Sequence, residues 1–336
     1  MPENRPTLKV IKELPRKEMV FALAHVPGGR RLIFGGSDFG VYDVDLAAEK
    51  PEPRKLGGHE SYVSGLAIAG GRAVSGGYDG RLIWWALDSA GPVRQVDAHT
   101  KWIRDVAATV DGSVVASVAD DMVCRLWDGQ SGAKLHDLSG HAPQTPHHFP
   151  SMLYACAFSP DGRYVATGDK VGHVVVWEVA SGRQAAALEV PAMYTWDPKQ
   201  RRHSIGGIRS LAFSPDGTRL AVGGMGQVGN IDHLEGLARV EVFDWQTATR
   251  TQEFPGDATK GLVERLVFLP DGDRLVAVGG ANDGFLMLLD LPTKAVTLQE
   301  KAPAHVHDAT LGDTPDLIFS GGHGRLVAHE LTTPSA

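Results

Sequence analysis

The chain is poor in cysteine, with 2 in 336 residues, Cys124 and Cys156. Each falls in the middle of a β-patterned run. They read as small core residues, which excludes a disulfide framework or a cysteine metal cage. Cationic charge is not in excess either: Lys+Arg 33 against Asp+Glu 40 gives a formal net charge of -7. That balance supplies no broad electrostatic drive toward nucleic acid or an anionic membrane. No apolar run approaches the length of a membrane span, residues 285–289 being among the longest. Residues 1–19 hold neither an apolar signal core nor a small-residue cleavage site. The expectation is a soluble, cytoplasmic protein. Catalytic signatures are missing as well: no Gly-rich loop ending in Gly-Lys-Ser/Thr, no Gly-x-Ser-x-Gly, no His-Glu-x-x-His, no Cys-x-x-Cys. Asp43-Val44-Asp45 and Asn282-Asp283-Gly284 complete no calcium loop and read as ordinary turns.

What the chain does have is 40 glycines and 20 prolines in a sequence that is 43% hydrophobic. The organising stretch is 99–128. It contains three β-patterned runs, 103–109, 114–117 and 123–127, separated by Asp111-Gly112 and Asp120-Asp121. Asp-Gly between β-branched runs marks a hairpin, because the turn needs φ > 0 and glycine supplies it without a Cβ clash. The same grammar recurs around residues 57–88 and 152–182. A unit this small cannot bury its own face, so its repetition decides the fold.

Gly140-His141, Ser159-Pro160-Asp161-Gly162, Ser214-Pro215-Asp216-Gly217 and Trp127-Asp128 resemble the Gly-His, Ser-Pro-Asp-Gly and Trp-Asp marks of the WD-repeat β-propeller family. The third strands end at Val44, Trp85, Trp127, Trp177, Phe243, Leu289 and His329, spaced 41, 42, 50, 66, 46 and 40 residues apart. This period predicts an all-β protein, a seven-bladed β-propeller of four-stranded antiparallel blades. The expected blades lie at about 20–46, 59–90, 99–138, 152–190, 208–254, 263–299 and 306–331, all in one domain spanning 1–336. Little chain follows the third strand of the last blade. The resemblance therefore implies that residues 7–14 complete it and close the ring, which protects two sheet edges.

His59, Ser75, Asp79 and Trp85 recur at the same offsets as His99, Ser117, Asp121 and Trp127. A Ser/His/Asp set invites a nucleophilic reading, but such a site would not be built twice. The resemblance implies structural tetrads, hydrogen-bonded inside each blade. In the next repeat Thr167 and Trp177 remain, Val171 stands at the aspartate position, and His148 is a shifted candidate for the histidine, as His203 is one repeat later. The Gly-Gly pairs Gly76-Gly77, Gly223-Gly224, Gly279-Gly280 and Gly321-Gly322 are expected to be turn chemistry.

Three insertions depart from the repeat: 142–151, 191–207 and 225–237. In a propeller their connections leave from one face, so the three are expected to cluster over blades 4 and 5, where long loops on a rigid scaffold favour binding. The segments 196–207 and 230–245 also resemble those of a group of bacterial WD-repeat proteins of largely unassigned role. Tyr194, Trp196, Arg201, Arg202, His233 and Glu235 are candidate partner-binding residues, since aromatics and arginine are enriched at interface hot spots. The alternative is a divalent metal or small-ligand site from His147, His148, His203, Asp232 and His233. The expected activity is thus a non-enzymatic scaffold for a protein or peptide partner. The ring is expected to be monomeric and without a cofactor unless the loops bind metal.

Overall fold

The structure is a computed structural model that describes residues 5–89, 91–199, 203–231, 235–256 and 258–333. The repeated turns form as their chemistry requires. Ser159 Oγ donates to Asp161 Oδ1 at 2.6 Å and Ser214 Oγ to Asp216 Oδ1 at 2.5 Å, while Gly162 and Gly217 take φ of 68° and 71°. The serine and aspartate satisfy the turn locally, and glycine occupies the left-handed position. Successive β-patterned runs therefore fold back as antiparallel neighbours. Among the described residues the only helix is the 3-10 turn Pro191–Met193.

Five four-stranded antiparallel sheets begin at the strands Val63–Ala69, Ile103–Ala108, Leu153–Phe158, Ile208–Phe213 and Leu262–Phe268. A sixth sheet has six strands, in the order Val306–Leu311, Leu317–Thr332, Thr7–Val26, Arg31–Gly36, Gly40–Asp45 and Arg54–Gly58. The repeat predicts seven separate sheets, whereas hydrogen bonding joins these strands into six. The difference arises because two strands run on without interruption. Thr7–Val26 pairs first with Leu317–Thr332, from Thr7 opposite Thr332 to Pro15 opposite Arg325, and later with Arg31–Gly36. Its register breaks between Pro15 and Met19. Leu317–Thr332 also folds back on itself, with Leu331 N donating to Asp316 O at 2.7 Å.

The first strand of each repeat touches that of the next in a closed order: Thr7–Val26, Val63–Ala69, Ile103–Ala108, Leu153–Phe158, Ile208–Phe213, Leu262–Phe268, Val306–Leu311, and back to the start. These strands surround a central channel. The apolar core lies between sheets, since each sheet is too thin to bury anything alone. Trp85, for example, packs with Ile33, Val41 and Leu56 of the preceding sheet, and a fully buried side chain of this size contributes about 1.5–3 kcal/mol.

The Gly-Gly pairs have a different role from the expected one. They lie within second strands rather than in turns. A Cβ on Gly76 would sit 2.7 Å from Val106 Cγ2 and 2.8 Å from Ile103 Cγ2 of the next sheet. Gly223 faces Val263 at 2.8 Å and Gly321 faces Val20 at 2.8 Å in the same way. Near the axis the sheets converge, and only a residue without a side chain admits the neighbouring inner strand.

Candidate functional site: the central channel and its mouth

In three of the sheets a chain of polar side chains ties the strands together where the sheet narrows. Trp85 Nε1–H donates to Ser75 Oγ at 2.8 Å, Ser75 Oγ lies 2.7 Å from His59 Nε2, and His59 Nδ1 lies 3.0 Å from Asp79 Oδ1. Trp127, Ser117, His99 and Asp121 repeat this chain at 2.9, 2.8 and 3.0 Å. Burial depresses the His99 pKa against the pull of Asp121, so its ring is neutral at pH 7. In the third such set Trp177 donates to Thr167, and Thr167 and Asp169 hold His141 at 2.8 and 2.9 Å. This corrects the sequence expectation twice. The aspartate is Asp169, not absent at Val171, and the histidine is His141, not His148. The insertion 142–151 enters after the histidine, so counting back from the next strand lands on the wrong residue. His203 is likewise no tetrad member: it is exposed on the short strand His203–Gly206.

The channel is lined by a device absent from the sequence expectation. Every inner strand carries a register shift near its start, and one residue in each is left without a partner across the ladder. These residues are Phe21, Ser64, Arg104, Tyr154, Arg209, Glu264 and His307. A β-bulge re-aims the side chain of its extra residue, and all seven line one chamber of about 280 Å³. The signal was available in the sequence. Each directly follows a Val, Ile or Leu of its inner strand, as in Val63-Ser64, Ile103-Arg104 and Val306-His307. Reading that column across repeats would have assembled the ring.

Below the chamber, Arg265 spans the channel. Its Nε donates to Asp308 Oδ1 at 2.5 Å and its Nη2 to Asp105 Oδ1 at 3.4 Å. Burial opposes the Arg265 charge, but the two carboxylates outweigh it and raise its pKa. Both aspartates also accept backbone N–H groups of the next inner strand, Asp105 from Cys156 at 3.2 Å and Asp308 from Leu23 at 2.8 Å. The triad separates the chamber from a second cavity of about 260 Å³, which Arg265 and Asp308 also line.

Above the chamber, aromatic rings and arginine alternate. Tyr78 and Trp102 stack in parallel at 4.7 Å, and Arg104 lies over both, 5.0 and 5.2 Å from the ring centres. Asp120 grips Arg104 in a bidentate pair at 2.8 and 2.7 Å. Burial works against that cation, and the Asp120 bond more than offsets it. Arg209 sits 3.6 Å from the Tyr154 ring centre, and its Nη1 is buried without a hydrogen-bond partner among the described residues. Trp102 is 51% exposed, which leaves one face of the stack open to solvent.

The three insertions meet beside this mouth. His147 stacks on Trp196 at 4.3 Å and its Nδ1 lies 3.0 Å from Tyr194 Oη. Phe149 packs against Trp196 and His203. Val228 N donates to Thr195 Oγ1 at 3.1 Å, and Val228 and Ile231 bury against Met225 and Leu262. Trp196 and Tyr194 are thus half-buried and engaged in packing the loops together. Glu235 lies on the exposed side, paired with Lys260 at 3.5 Å. Arg201, Arg202, Asp232 and His233 lie outside the described residues. Among the described residues His147, His148 and His203 do not gather into a ligand group. Among the described residues the one His/Glu set whose ligand atoms converge is Glu264, His305 and His307 in the channel wall.

Comparison with known proteins fits this geometry. The family model "WD domain, G-beta repeat" matches residues 90–128, 132–178 and 198–228. The chain is 26% identical over 258 residues to mouse telomerase protein component 1, covering 77% of this chain and 8% of that protein. It is 28% identical over 219 residues to nuclear distribution protein PAC1 of Arthroderma otae, covering 57% and 44%. It is 29% identical over 153 residues to WD repeat-containing protein VIP3 of Arabidopsis thaliana, covering 45% of each. The chain therefore spans less than half the length of these curated relatives. The matched repeats, the Trp–Ser/Thr–His–Asp sets inside the sheets and the closed order of inner strands support a WD-repeat β-propeller.

Proposed function

We propose that this protein is a non-enzymatic scaffold whose docking face is the mouth of the channel together with the inserted loops over blades 4 and 5. The partner is a protein segment carrying an acidic side chain. Arg209 carries the reading: a buried guanidinium nitrogen without a hydrogen-bond partner among the described residues faces a chamber that an entering carboxylate can reach. Such a group costs about 1–3 kcal/mol while unpaired, more for a charge, and a bidentate carboxylate relieves it. The exposed Trp102 stack beside it offers an aromatic anchor of the kind that dominates interface energy.

The reading includes a seven-bladed, monomeric ring of cytoplasmic location. Seven inner strands and seven bulged residues support that count. The six-stranded sheet then represents two blades joined at the Pro15–Met19 break, the last of them completed by residues 7–15. Arrayed peptides of defined acidic and basic sequence test the docking face. Acidic peptides are expected to bind, and Arg209→Ala and Trp102→Ala are each expected to weaken binding at least tenfold at unchanged melting temperature. Equal retention of basic peptides, or indifference to both substitutions, refutes the reading.

A further inference from the structure

We infer that the channel wall holds a divalent transition-metal site formed by Glu264, His305 and His307, with Zn²⁺ the ion its ligands suit. His305 and His307 flank the entry to the last inner strand, and their rings stack with centres 4.4 Å apart. Glu264 occupies, one repeat earlier, the same bulged position as His307. One ligand atom from each of the three lies within 4.8 Å of the others. A tetrahedral Zn²⁺ with bonds of about 2.0–2.1 Å holds its ligands roughly 3.3 Å apart. His305 Nε2 and Glu264 Oε1, at 3.1 Å, are already at that spacing. The third group closes by a side-chain movement of at most about 1.5 Å, so the set is nearly assembled.

Two further observations point to an ion rather than a simple ion pair. First, His307 Nε2 is buried without a hydrogen-bond partner among the described residues. An imidazole nitrogen so placed is costly unless something binds it. Second, His305 Nδ1 lies 3.2 Å from the carbonyl oxygen of Ala281. With an ion in place of the Nε2–Glu264 hydrogen bond, that carbonyl keeps the Nδ1–H and the Nε2 lone pair turns to the metal, which is the outer support that ligating histidines use. Glu264 and His307 both line the 280 Å³ chamber, so a fourth coordination position faces space that water or a partner's carboxylate can fill. Three protein ligands with one open position is the donor set of exchangeable rather than sealed zinc sites. The inference does not depend on the docking face proposed above.

The test uses the whole chain, stripped with chelator and titrated with Zn²⁺ by calorimetry, with visible absorption of bound Co²⁺ as a second readout. One equivalent is expected. Glu264→Gln and His307→Ala are each expected to weaken binding more than about 100-fold, beyond the loss seen when only an outer partner is removed. A His147→Ala/His203→Ala double variant is expected to bind as wild type. Glu264→Gln keeps the size of the side chain, so it reports on the site even where His307→Ala fails to fold. Absence of Zn²⁺ binding by the wild type, or unchanged binding by Glu264→Gln, overturns the inference. So does loss of binding in the loop double variant.

Discussion

Replacing Arg265 with methionine isolates the energetics of the channel. The substitution keeps an unbranched apolar stem but removes the cation between Asp105 and Asp308, whose side chains are 6% and 3% exposed. Breaking a buried charge pair by removing one partner costs about 3–5 kcal/mol. Here the lower end applies, near 3 kcal/mol, for two reasons. Each aspartate keeps its backbone N–H donors, from Val106 and Cys156 or from Ala309 and Leu23. The cavities on either side also let water reach the exposed carboxylates. The assay is urea unfolding followed by tryptophan fluorescence, where a slope near 3 kcal/mol/M converts the loss into a midpoint shift of about 1 M. The effect also has a pH signature. Burial already raises the Asp308 pKa, and Arg265 is the main influence lowering it. Without Arg265 the folded-state pKa rises further above its unfolded value of about 3.9. A group shifted that way favours folding only at low pH, and its contribution fades as pH climbs through the raised value. The deficit is therefore largest at pH 7 and narrows by pH 5. A loss below about 1 kcal/mol at pH 7, or a deficit equal at both pH values, refutes the account.

Ser117→Ala removes the oxygen that Trp127 donates to and that His99 Nε2 faces, leaving two buried groups unpaired; a loss of about 2–3 kcal/mol is expected in the same urea assay. Gly76→Ala drives a Cβ within 2.8 Å of the stiff Ile103 and Val106 side chains. Overpacking of this kind costs about 1–3 kcal/mol, whereas a glycine needed only for a turn would tolerate alanine in this extended strand or gain slightly.

Much of the fold was legible because its cause is local. Asp-Gly turns, alternating strands and the spacing of Trp85, Trp127 and Trp177 each act within one repeat. The two tetrads read from the sequence sit on unbroken offsets, and both form. The third set was misread because the insertion after His141 breaks those offsets, and the Gly-Gly pairs because their reason is a neighbour from another repeat. For the loop residues, the sequence showed which segments are long, not which side chains would be spent on packing: Trp196 stacks on His147 and Phe149 instead of standing free.

By itself, then, the sequence determined the class of the fold, its repeating unit and the hydrogen-bonded sets inside the sheets, since these depend on contacts between residues at most a few tens of positions apart. Tertiary structure alone decided that seven bulged side chains converge on one chamber and that Arg265 meets Asp105 from 160 residues away. The reason is geometric. Ring closure places residues from distant repeats around a single axis, and their distances there depend on how the sheets pack.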